Sequence, residues 1–174
     1  MLSGHKEAVL KGFDYFKLEE KLNPEQLALR DAIRKFNETE VLPNINPYWD
    51  RAEFPWEIAM KMKDLGIIGG SIEGYGSPGL DPLSVGILSY ELARGDGGVG
   101  TFYGVQSGLA MTSIAGLGSE EQKQRWLPDM AKLDKIGAFG LTEPTVGSNA
   151  GGIKTTARRD GDYYILNGAK RWIG

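Results

Sequence analysis

Through most of the chain apolar residues recur at helical spacing, and near its end the spacing becomes that of strands. Leu29, Ile33 and Phe36 stand at i, i+4 and i+7 and make one apolar face. Asn23 ahead of them can cap, Pro24 suits the first helical position and Gln26 completes a capping box. A helix is therefore predicted from Asn23 to about Leu42, where Pro43 stops it. Pro55 opens a second helix with Ile58, Met62 and Leu65 as its buried stripe and Gly66 as its stop. Asp81-Pro82 starts a third in the same cap-then-proline manner, running to about Arg94 before Gly95-Asp96-Gly97-Gly98 breaks it. Residues 99–116 are small, apolar and nearly uncharged, the pattern of a helix buried all round. Ser119-Glu120-Glu121-Gln122 is another capping box. Its helix is expected to pass Trp126 and to bend or restart at Pro128, with a short turn from Asp129 to Lys132 leading out.

From Lys135 the pattern changes. Ile136 through Leu141 reads as a short apolar strand, and residues 153–159 alternate loosely around Thr155 and Thr156. Asp160-Gly161 and Asn167-Gly168 are both hairpin turn signals, with the strand formers Tyr163, Tyr164, Ile165 and Leu166 between them. The fold class is α+β: an all-α N-terminal domain followed by the start of an antiparallel β-domain. Residues 1–22, with Phe13, Tyr15 and Phe16 but no clean period, read as an arm that docks on something. Residues 23–132 form the helical domain, and residues 133–174 begin the β meander. The closing run Lys170-Arg171-Trp172-Ile173-Gly174 lies in strand-like sequence. A sheet broken there leaves unpaired backbone, so the sequence is expected to be a fragment of a longer protein.

Composition narrows the chemistry. The chain has 174 residues, enough for one domain or one small domain plus part of another. Apolar residues make up 41% and charged residues 25%, and the net charge of −3 gives no bulk attraction to nucleic acid or anionic lipid. There is no cysteine, hence no disulfide and no thiolate chemistry, and the single His5 leaves histidine metal sites and catalytic triads nothing to build on. No apolar run reaches the ~18–20 residues of a membrane span, and no leader pattern is present.

Three stretches carry candidate chemistry. Residues 69–79 are rich in glycine, but their spacing is neither G-x-G-x-x-G nor a P-loop, which favours a plain connection over a phosphate cradle. Gln106 and Ser107 fall in the uncharged helix and need partners. Neighbouring helices supply them, or the two residues line a ligand cavity. Residues 139–148 pass from strand to open turn between the helical and the β regions. They offer an aromatic, backbone donors, the Thr142 hydroxyl and a Gly-Ser pair. Taken alone, Phe139 and Trp172 read more readily as sheet-core aromatics, and Thr142 and Ser148 as turn residues, than as ligand contacts.

The order of these motifs resembles the acyl-CoA dehydrogenase family, including its flavin-dependent acyl-CoA oxidases. The stretch Phe139-Gly140-Leu141-Thr142-Glu143-Pro144, then Gly147-Ser148, is similar to the family's flavin signature. Gly118-Ser119-Glu120-Glu121-Gln122-Lys123 with Trp126-Leu127-Pro128 resembles its approach helix, and Asn167-Gly168-Ala169-Lys170-Arg171-Trp172-Ile173 the strand that ends at the flavin. Gly74-Tyr75-Gly76 and Gln106-Ser107 look most like the glutaryl-CoA dehydrogenase and short-chain oxidase branch. The resemblance runs from about residue 20 to the end. It implies FAD as cofactor, held between the β-domain and a C-terminal helical bundle that this sequence lacks, in a homotetramer. It implies α,β-dehydrogenation of an acyl-CoA, with electrons passed to an electron-transfer flavoprotein or to oxygen. Phe139, Gly140, Leu141 and Thr142 would line the flavin edge, and Gly147 and Ser148 would approach its pyrophosphate. Ser148 would also meet the acyl-CoA, and Trp172, Ile173 and Gly174 would pack on the ring. The family's catalytic base comes from the C-terminal half, so no catalytic residue is expected here. Glu143 is implied to be structural.

Two departures stand out. Asn149 replaces the family's usual Asp after the Gly-Ser. Gly100 stands where glutaryl-CoA dehydrogenases carry the arginine that recognises the distal carboxylate. A buried substrate carboxylate without a guanidinium is costly, which favours a short- or medium-chain monocarboxylic acyl-CoA. The competing readings are a non-catalytic helical interaction or scaffold domain on the same fold, and an inert short product. The expected compartment is the cytoplasm, with the peroxisome as the alternative. The 174 residues alone are expected to bind FAD weakly and to turn over no acyl-CoA.

Overall fold

The computed structural model describes residues 17–173. The predicted arm up to Phe16, His5 and Gly174 lie outside them. After a 3-10 turn at Leu18–Lys21, helix α1 covers Pro24–Phe36. The Asn23 side chain accepts the Gln26 amide while Gln26 accepts the Asn23 amide, so the capping box forms as its sequence requires. The helix widens into a π-helical turn at Asn37–Val41 and ends at the predicted place. Helix α2, Asn46–Arg51, has no side-chain cap and was not predicted; Trp49 Nε1 holds it by donating to Asp96 at 2.9 Å. Helix α3, Trp56–Met60, tightens into a 3-10 turn at Lys61–Leu65 and stops at Gly66 with φ +63°.

The glycine-rich connection contains two short antiparallel strands, β1 (Glu73–Gly74) and β2 (Ser77–Pro78), joined by Tyr75 and Gly76 at φ +53° and +81°. Helix α4, Pro82–Gly95, is capped by Asp81, which accepts the Leu83 and Ser84 amides and the Gln26 side chain, so the starts of α1 and α4 are tied together. Helix α5, Gly97–Tyr103, runs through a π-helical stretch at Gly104–Met111 into α6, Thr112–Leu117. This long helix is not buried all round: Leu109 is 43% and Leu117 90% exposed, because one side of the small-residue run faces no other element among the described residues. Helix α7, Glu120–Ala131, passes through Pro128 without the expected break. The hydrogen bond that Pro128 cannot make would end on the carbonyl of Gln124, an exposed residue that water can serve.

The core joins these helices. Ile33, Met62, Leu88, Leu92, Met111 and Leu127 are all wholly buried. It also holds one carboxylate: Glu91, 1% exposed, pairs with Arg34 and Arg94, each at 2.8 Å, and its carbonyl accepts the Asn37 amide. No helix among the described residues is long and apolar enough to cross a membrane.

Beyond α7 one two-stranded hairpin forms among the described residues. Strands β3 (Thr156–Asp160) and β4 (Tyr163–Asn167) pair antiparallel, with Asp160 opposite Tyr163 and Gly161 at φ +61° in the turn. Two expectations fail here. Ile136 through Leu141 is not a strand, because among the described residues no strand lies beside it and its Gly137 amide is taken by Gln106 instead. Asn167-Gly168 does not turn the chain into another paired strand among the described residues; β4 ends at Asn167, and Gly168 packs on Thr155.

The buried carboxylate gives a stability test. Glu91→Ala leaves two arginines facing a cavity and is expected to lower unfolding stability by about 3 kcal/mol. Arg51→Ala, which breaks an exposed pair with Glu53, should change it by less than ~0.5 kcal/mol. Urea unfolding midpoints of the two variants check both values.

Candidate functional site

Two polar clips decide where residues 136–148 run. The first is Gln106, with no exposed surface. Its amide nitrogen donates to the carbonyls of Met130 and Lys135, both at 3.0 Å, and its oxygen accepts the Gly137 amide at 2.7 Å. Neighbouring segments therefore satisfy it, and the cavity alternative falls away. Ser107 is likewise occupied, accepting the Gly69 amide at 3.0 Å. The close seat of Gly137 needs glycine, since a Cβ there would come within 2.5 Å of Ala110 and 2.7 Å of Met130. The chain then emerges beside an open cleft of about 560 Å³ bounded by Ala110, Ser113, Ile114, Trp126, Met130 and Phe139.

The second clip is Glu143, 5% exposed within a tight turn closed by reciprocal backbone bonds with Val146. Its carboxylate accepts the Lys154 amide at 2.7 Å, the Thr155 amide at 2.9 Å and Lys170 Nζ at 3.0 Å. The neighbouring Thr155 hydroxyl, the Lys154 and Thr155 amides and the Lys170 ammonium hold its pKa down to about 2, against burial, which pulls it up. Thr155 Oγ1 itself meets no partner in hydrogen-bonding geometry, so the weight falls on the two amides and the ammonium. Lys170 Nζ also donates to the Leu141 carbonyl at 3.0 Å, and the Arg171 amide donates to the Thr142 carbonyl at 2.9 Å. Gly168 completes the junction: a Cβ there would lie 2.2 Å from Thr155 Oγ1.

The residues expected at a ligand divide accordingly. Gly140, Leu141 and Thr142 lie against the segment of Lys170, Arg171 and Ile173; an added Cβ at Gly140 would stand 3.6 Å from Lys170 and 4.0 Å from Ile173. Phe139, Leu141 and Ile173 are 37%, 39% and 45% exposed, and Trp172 is 79% exposed at φ +60° with the Arg171 guanidinium over its ring. None of these aromatics is a core residue. Gly147 and Ser148 follow the Glu143 turn on the surface, and no hydrogen bond joins them to the Lys170 junction among the described residues. The amides of Leu141 and Thr142 and the Thr142 hydroxyl also have no partner among the described residues. The result is an apolar rim carrying unused donors. The sequence reading missed the part played by Lys170, Thr155 and Gly168. A lysine two residues after an Asn-Gly pair was the available signal, and it points to a carboxylate that only the fold brings near.

Residues 23–134 match the model of the acyl-CoA dehydrogenase N-terminal domain, and residues 138–174 that of the middle domain. The chain belongs to the acyl-CoA dehydrogenase family. It is 36% identical over 150 residues to an acyl-CoA dehydrogenase of Bacillus subtilis, covering 86% of this chain and 40% of that protein. The mitochondrial short-chain specific acyl-CoA dehydrogenase of Rattus norvegicus is 38% identical over 146 residues, or 83% of this chain and 35% of that protein. A glutaryl-CoA dehydrogenase of Mycobacterium smegmatis, solved in complex with FADH2, superposes with a TM-score of 0.86 at 43% identity, covering 91% of this chain and 41% of that one. The chain thus spans about 40% of the length of relatives it matches.

The Glu143 clip has a pH signature. Its folded pKa lies below the ordinary 4.5, so its contribution is complete above that value and is lost as pH falls toward about 2. The stability difference between the parent and Glu143→Gln should be greatest above pH ~5 and shrink steadily below pH ~4. Urea unfolding of both proteins from pH 6 to pH 3 reads it; a difference that grows on acidification contradicts the assignment.

Proposed function

We infer that this chain supplies one wall of the FAD site of an acyl-CoA dehydrogenase and that the whole protein carries out α,β-dehydrogenation of an acyl-CoA thioester. The observation that carries the reading is the apolar rim of Phe139, Leu141, Trp172 and Ile173 beside the unused amides and hydroxyl at Leu141 and Thr142. A planar, largely apolar ring with polar atoms along one edge suits this surface, so the residues present fit the group. FAD supplies the two-electron acceptor for the hydrogen leaving the substrate's β carbon. The chain's own part is positional. Phe139, Gly140, Leu141 and Thr142 line the ring edge, and Trp172 and Ile173 cover it. Gly147 and Ser148 sit toward the pyrophosphate, with Ser148 also reaching the acyl-CoA. Glu143, fully engaged by two amides and an ammonium, is no proton acceptor, and the base is assigned to another part of the whole protein.

A division near residue 133 belongs to this reading, supported by the separate domain matches on either side of it. So do a homotetrameric assembly and an electron-transfer flavoprotein or oxygen as acceptor, inferred from the family, with the cytoplasm as the expected compartment. The substrate is a short- or medium-chain monocarboxylic acyl-CoA. Position 100 supports this beyond the missing arginine: a Cβ on Gly100 of α5 would stand 3.2 Å from the backbone of Ala93 in α4. A longer side chain there would press on that backbone, which must give by a few tenths of an ångström.

Full-length protein purified under mild conditions should be yellow and should show flavin bleaching with butyryl-CoA. Colourless protein that FAD does not reconstitute refutes the enzyme reading. Butyryl-CoA should be turned over at least about tenfold faster than glutaryl-CoA, since an unpaired buried carboxylate costs more than ~1.4 kcal/mol; comparable rates refute the substrate assignment.

A further inference from the structure

Lys170 does more than neutralise Glu143. Its ammonium lies 3.0 Å from Glu143 Oε1 and equally 3.0 Å from the Leu141 carbonyl oxygen. That carbonyl and the Thr142 N–H belong to one planar, resonance-coupled peptide unit. A cation on the oxygen draws electron density toward itself and leaves the N–H at the other side a stronger donor. This N–H is one of the donors with no partner among the described residues, on the rim assigned above to the flavin.

The contact is fixed from both ends. Glu143, its side chain 4% exposed, is immobilised by the Lys154 and Thr155 amides and anchors the ammonium. The Arg171 amide, bonded to the Thr142 carbonyl, fixes the lysine's own backbone against the same segment. Neutralising Glu143 would require only one of the two ammonium contacts; the second is spent on the rim peptide.

We propose that Lys170 is a positioning residue that tunes the flavin: through the Leu141–Thr142 peptide it strengthens the hydrogen bond offered to the ring and favours the electron-rich, reduced form. The proposal rests on flavin occupying this rim. No bond to substrate or cofactor is made or broken by Lys170.

The test compares the full-length holoenzyme with Lys170→Arg, Lys170→Gln and Lys170→Met. Three quantities are measured: the flavin midpoint potential by dye-equilibrated reduction, the flavin absorption spectrum and FAD retention on dialysis. Lys170→Arg should stay close to the parent. Lys170→Met should keep FAD and hold about tenfold less reduced flavin at a given potential, about 30 mV more negative for a two-electron couple. Lys170→Gln, a donor without charge, should fall between them. Flavin-loaded Met and Gln variants with the parent's potential overturn the tuning role and leave Lys170 a structural pin. If the Met variant sheds FAD, the Arg and Gln variants decide: a lower potential in Gln supports the proposal, and equal potentials overturn it. A parent protein that binds no flavin overturns the flavin reading itself, and this proposal with it.

Discussion

One buried amide sets the relation between the helical layer and everything after it. Gln106 spends both its donors and its acceptor on the backbone of residues 130–137, and it does so without solvent access. Leaving any of these groups unpaired would cost ~1–3 kcal/mol, so there is little freedom in where the chain leaves α7. The π-helical stretch at Gly104–Met111 accompanies this arrangement and departs from regular α geometry where Gln106 sits. Phe139 reaches the cleft beside Trp126 because of that exit, not because a strand carries it there.

Glu143 repeats the principle with charge. A carboxylate that accepts two amides and a lysine draws together three stretches far apart in sequence: the turn after Thr142, the lead into β3 and the segment after β4. Around it the apolar side chains stay on the outside. Rigidity here comes from polar contacts beneath, while the surface above stays oily, a combination that suits the flat ring proposed for it.

The helices were legible because their signals are local. Asn23 with Gln26, Asp81 with Pro82 and Ser119 with Gln122 fix helix starts within one turn of chain, and Gly66 fixes an end. Helix α2 was not legible, since the contact that holds it, Trp49 to Asp96, joins residues distant in sequence. The supposed strand at 136–141 misled because an apolar run reports burial or a ligand face as readily as pairing, and no neighbouring strand is described. Pro128 misled in the other direction, its missing bond falling where water can compensate. At the site, the order of motifs named the residues at the rim, but Lys170 and Thr155 gain their meaning only from Glu143, which no periodicity connects to them.

Gly100 also constrains how the helical layer can change. A Cβ on it would stand 3.2 Å from the backbone of Ala93, so α4 and α5 approach each other closely at this position. Any side chain introduced there asks the neighbouring backbone to give by a few tenths of an ångström. The helix contact thus acts as a mild steric filter on what residue 100 can become.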